Sequence, residues 1–162
     1  MDDQSAKRNL VLQGMVLILL GLLTGFTISN TRNPRVAMAS HVEALMGGML
    51  LLTIGGIAWD YAQLGKRGAR IVQLLLFYSS YANWFFLLLS AVWGTGKMLP
   101  IAAKGYRGTD FQELICSAGL GSSALAILCA MITLLVGIRN KTVNSKPQHS
   151  QATERNAPAR SE

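Results

Sequence analysis

Four long stretches without a formal charge restrict what this chain can fold into more than anything else in it. They span residues 11–28, 45–59, 71–93 and 114–138. A helix needs about 20 mainly apolar residues to cross the hydrocarbon core of a bilayer. Three of the runs meet that length or come close. The second meets it when its helix starts near Met38, which draws His41 and Glu43 into the span. In lipid the backbone must satisfy its own polar groups, so long apolar runs cross as helices. The sequence predicts an all-α integral membrane protein, a four-transmembrane-helix bundle with helices over about 10–29, 38–59, 70–93 and 113–138. Residues 1–9 read as a short polar start. The polar tail, 139–162, has little to bury and is expected to be disordered; His149 within it is set aside.

Lys7 and Arg8 precede the first run as they would a secretory signal. The run is long for such a signal and has no clear small-residue cleavage site, so it is read as the first helix. The net charge is +7. With the N-terminus inside, ten of the 15 Lys and Arg residues fall inside and five outside. That bias places both termini in the cytoplasm. The basic residues are scattered over short loops, which argues against a nucleic-acid surface. Cys116 and Cys129 lie on one predicted helix, about 20 Å apart at 1.5 Å per residue, too far to form a bridge. No CxxC or CxxCH motif is present.

Small residues recur along the helices: Gly21 and Gly25 on the first, Gly47, Gly48, Gly55 and Gly56 on the second. They let helices pack closely in lipid, or leave room for a flat ligand. A turn at 29–34 contains Pro34, and Ser40 is expected to cap the deeper part of helix 2.

Ionisable groups at membrane depth are functional candidates by default. His41 reads either as an interfacial histidine or as an iron ligand or proton-handling group. Glu43 lies about 200° round the helix from it, so the two do not converge within one protomer. Gly47 shares the Glu43 side, and Gly48 returns close to the His41 side. On helix 3, Asn83 is an amide that needs partners in lipid. Tyr78, Tyr81 and Trp84 are candidates for holding an aromatic ring, and Gln13 on helix 1 is a weaker polar candidate.

The segments LQGMVLILLGLLTGF (12–26), NPRVAMASHVEALMGGM (33–49) and YANWFF (81–86) resemble the hydroxylaminobenzene mutases. These are four-helix membrane proteins of bacterial nitroarene degradation, including that of nitrobenzene. The resemblance covers about residues 10–138. It implies a mutase of the bacterial inner membrane that converts an aryl hydroxylamine to 2-aminophenol by a Bamberger-type hydroxyl shift. More distantly the chain is similar to styrene oxide isomerase, a trimer that holds haem b through a helix 2 histidine. That histidine matches His41, and a helix 3 asparagine matches Asn83. The isomerase's pocket asparagine and tyrosine fall at Gly47 and Leu87. The resemblance thus implies a trimer with haem b on His41 iron ligation, Gly48 and Trp84 beside the cofactor, and Glu43, Asn83 and Tyr78 as catalytic groups. The other readings are an epoxide isomerase, a small proton-coupled multidrug exporter working through Glu43, and a structural membrane subunit.

Overall fold

The computed structural model describes residues 3–144, with side chains through Asn140. Four long helices cross back and forth: α1 (Asp3–Thr27), α2 (Pro34–Gly56), α3 (Lys66–Trp93) and α5 (Asp110–Asn144). A single-turn helix, α4 (Pro100–Ala103), lies in the connection between α3 and α5. Each long helix is long and apolar enough to cross a membrane. Much of that apolar surface faces outward. On α1, Met15, Leu19, Leu22 and Phe26 are exposed at three- and four-residue spacing. Such a stripe is costly in water and natural against lipid.

Two helices, α1 and α5, exceed their expected limits most. α1 begins at Asp3, because Asp3 accepts a 2.7 Å bond from the Trp59 indole and Lys7 pairs with Asp60. α5 continues to Asn144, so the start of the expected disordered tail is helical. Residues 145–162, His149 included, lie outside the described residues.

The cap of α2 differs from the expectation. Asn33 caps it, not Ser40, accepting from the backbone of Arg35 (3.2 Å) and Val36 (3.4 Å), with Pro34 at the first helical position. Asn followed by Pro is a favoured helix start. Ser40 lies about two turns inside and donates to the Trp84 carbonyl at 2.9 Å. Asn33 is fully buried, and its amide also reaches the carbonyls of Ala102 and Ala103 at 3.5 and 3.4 Å. One side chain thus starts α2 and anchors α4.

α1 and α2 pack through their glycines. A Cβ at Gly14 would stand 2.7 Å from the Gly48 carbonyl oxygen, and one at Gly48 would stand 2.5 Å from Ile18 Cγ1. One at Gly55 would meet Leu10 Cβ at 2.7 Å. Leu10, Leu17 and Leu51 fill the core beside this seam, with Val72 and Leu76 of α3.

Asn33→Ala is expected to lower stability by about 1–2 kcal/mol through loss of the cap, seen as a lower melting temperature in detergent. Asn33→Ser keeps a cap acceptor and loses only the long bonds to α4, so its loss should be smaller.

Candidate active site

α2 separates two environments. On its α1 side, His41 Nδ1 lies 2.7 Å from the Gly21 carbonyl oxygen. A carbonyl only accepts, so Nδ1 carries the proton and donates it. In the neutral ring, Nε2 is then left with a free lone pair. Gly25 lies against the same ring: a Cβ there would stand 3.1 Å from Nδ1.

On the opposite side, Glu43 lines a cleft between α2, α3 and α5. Gly47, Ser80, Asn83 and Ser123 line it too, with Leu50 and Ile127 as apolar walls. Its volume is ≈ 170 Å³. The Ser123 hydroxyl reaches the Leu120 carbonyl at 2.9 Å and Asn83 Oδ1 at 3.4 Å. Among the described residues, nothing hydrogen-bonds or ion-pairs with the Glu43 carboxylate or the Asn83 amide nitrogen. A carboxylate at membrane depth with no partner among the described residues is free to act on a ligand.

The structure therefore brings Glu43 and Asn83 together and keeps His41 apart from them, as the 200° separation requires. Four other candidates lie elsewhere. Tyr78 is half-exposed on the outer face of α3, where its hydroxyl meets Ser122 Oγ at 2.7 Å; it does not line the cleft. Gly48 is filled by Ile18 and the Gly14 carbonyl, so it serves helix packing and offers no room for a flat ligand in this protomer. The Trp84 indole donates to Thr24 Oγ1 at 3.0 Å, joining α3 to the turn of α1 that receives His41. Tyr81 likewise fastens α3 to α1, donating to Gln13 Oε1 at 2.7 Å.

The sequence model of the styrene oxide isomerase family matches residues 6–139. The chain belongs to the styrene oxide isomerase family. Two relatives come from Ectopseudomonas oleovorans. Hydroxylaminobenzene mutase HabB is 40% identical over 139 residues, covering 85% of this chain and 84% of its own. Hydroxylaminobenzene mutase HabA is 40% identical over 126 residues, covering 77% and 93%. No solved structure matches. Family and relatives alike are isomerases, and this member is one too. The exporter and structural-subunit readings fall away.

Sequence reasoning missed Ser80 and Ser123 as cleft residues; on α3 the signal was Ser80 at one turn's spacing from Asn83. It also missed Glu113, whose carboxylate organises the α3–α5 connection of this family member. It accepts backbone N–H bonds from Gly96 (2.9 Å), Lys97 (2.9 Å) and Gly108 (3.1 Å), closing the loop at both ends. Thr109 and Gln112 cap α5 reciprocally.

Glu113→Ala strands these three donors. Bonds to a charged acceptor contribute about 1.5–3 kcal/mol each, so amide exchange at Gly96, Lys97 and Gly108 should quicken by about tenfold or more. Glu113→Gln, which keeps one acceptor oxygen, should fall between.

Proposed function

We propose that this protein is a hydroxylaminobenzene mutase, isomerising single-ring aryl hydroxylamines to 2-aminophenols. The observation that carries this reading is the meeting of Glu43 and Asn83 in a cleft of arene size. An apolar cavity of about 150 Å³ takes up benzene, and this cleft measures ≈ 170 Å³. The 40% identity to two named mutases supports the same substrate class.

The reaction breaks the N–O bond and forms a C–O bond at the ortho carbon. One proton leaves that carbon and one reaches nitrogen, with no net transfer of electrons. The Asn83 amide orients the N–OH group by hydrogen bonding. The Glu43 carboxylate stabilises positive charge that develops as the hydroxyl departs. It then takes the ring proton and delivers it to nitrogen. Leu50 and Ile127 hold the ring away from water.

His41 is the residue that would hold a haem. Metal-ligating histidines usually donate their second ring N–H to a carbonyl or carboxylate, and His41 does so to Gly21. Among the described residues no three metal-ligating side chains cluster. A bare ion therefore has no cage, whereas a haem brings four nitrogens of its own and needs little more than this imidazole. When bound, ferric haem b supplies Lewis-acid assistance to departure of the hydroxyl. Because α2 turns His41 and Glu43 to opposite faces, one substrate meets both only between copies. The trimer that the resemblance implies is part of this reading, as are the bacterial inner membrane and cytoplasmic termini.

Detergent-purified protein, with no proton gradient and no added reductant, should convert hydroxylaminobenzene to 2-aminophenol. Glu43→Gln should lower kcat by about 10²–10⁴-fold, and Asn83→Ala should lower kcat/KM. Tyr78→Phe should act within about twofold of the unmodified protein, since its hydroxyl lies outside the cleft. His41→Ala should lose both the Soret band and activity. Conversion of styrene oxide but not of the hydroxylamine would reassign the reaction to epoxide isomerisation.

A further inference from the structure

We propose that Gly21 and Gly25 of α1 form a positioning seat that locks His41 in one tautomer, with the proton on Nδ1 and the Nε2 lone pair bare. The idea rests on the reading of His41 as an axial ligand for its catalytic meaning, but the seat is a property of this chain alone.

Two contacts define the seat. The Gly21 carbonyl lies 2.7 Å from Nδ1. In a regular helix that carbonyl already accepts the N–H of Gly25, four residues on. A carbonyl oxygen has two lone pairs, so the imidazole takes the second. The ring itself lies over Gly25, where an added Cβ would come within 3.1 Å of Nδ1 and 3.2 Å of Cε1. A side chain at Gly25 would crowd the imidazole and force it to shift, straining its bond to the carbonyl. Gly21 sets the reach: a Cβ there would meet Ala44 Cβ at 2.8 Å and the His41 carbonyl oxygen at 3.3 Å. Only a residue without a side chain lets the α1 backbone come near enough to accept the bond.

The consequence is directional. A free imidazole exchanges its proton between two nitrogens. Held on Gly21, His41 keeps Nε2 as a ready electron-pair donor and holds the ring orientation. The spacing of Gly21 and Gly25 then serves the histidine in addition to helix packing.

The test uses the full chain in detergent, labelled with ¹⁵N-histidine and prepared without haem. The chain has two histidines, so His41→Ala assigns the signals. Unmodified protein should show His41 protonated at Nδ1 and bare at Nε2. Gly25→Ala should give a mixture of tautomers and a haem affinity lower by about 10- to 100-fold, the usual effect of losing such an outer partner. Gly55→Ala is the packing control: it strains the same helix pair at Leu10, far from the ring. It should lower the melting temperature and leave the His41 signals in place. A proton on Nε2 in the unmodified protein overturns the proposal, even if Gly25→Ala does not fold. So does a folded Gly25→Ala with unchanged signals and unchanged haem affinity. Protein that shows the Nδ1 tautomer but takes up no haem supports the seat and overturns the haem reading.

Discussion

The close approach of α1 and α2 is the contact on which the remainder of the bundle depends. In lipid, apolar side chains gain little by leaving their surroundings, so helices associate through packing of small residues. Here the partners run antiparallel: Leu10 with Gly55, Gly14 with Gly48, Gly21 with Ala44, and Gly25 with His41. That seam has two effects. It brings a backbone carbonyl of α1 within reach of an imidazole on α2. It also commits one face of α2 to α1, which leaves the opposite face, with Glu43 and Gly47, to α3 and α5.

Polar groups in the bundle divide by whether their own helix can satisfy them. Many hydroxyls find a carbonyl one turn back. Thr24 bonds to Leu20, Thr53 to Met49, Ser79 to Leu76 and Ser122 to Gly119, each within 3.0 Å. These residues are tolerated in lipid at little cost. A glutamate carboxylate or an asparagine amide has no comparable local escape. Glu43 and Asn83 are such groups, and both line the same cleft. Their coincidence is therefore more informative than the serines around them.

The four spans and the two faces of α2 were legible because each follows from a short-range rule: run length against bilayer thickness, and 100° of rotation per residue. Asn33-Pro34 was legible too, as a preferred helix start, yet the apolar pattern beginning near Met38 drew attention to Ser40 instead. What stayed hidden depended on neighbours distant in sequence. Nothing local to Tyr78 says that it meets Ser122 on the outer face. Nothing local to Gly48 says that Ile18 fills the space beside it. Glu113 is an acid in the first turn of α5, a favourable place for one whatever else it does. Its role arises from a loop whose two ends return to it.

The positions where the resemblance predicts polar pocket groups in the isomerase show how this cleft differs. Leu87 lies in the core with Val36, Ala37, Ala91 and Leu120, away from the cleft lining. Gly47 does line the cleft, where an added Cβ would stand 3.3 Å from Leu17 Cδ2 and 3.5 Å from Ser80 Cβ. A longer side chain there would take up part of the cleft. Polarity is supplied instead by Glu43, Ser80, Asn83 and Ser123. The charged member of that set bears on the chemistry. Rearranging an epoxide to an aldehyde moves a hydride between neighbouring carbons and calls for no base. Moving a hydroxyl from nitrogen to a ring carbon requires that the ring proton be removed and nitrogen protonated. A carboxylate without a partner among the described residues, lining the same cleft as an amide, meets that second requirement and is surplus to the first.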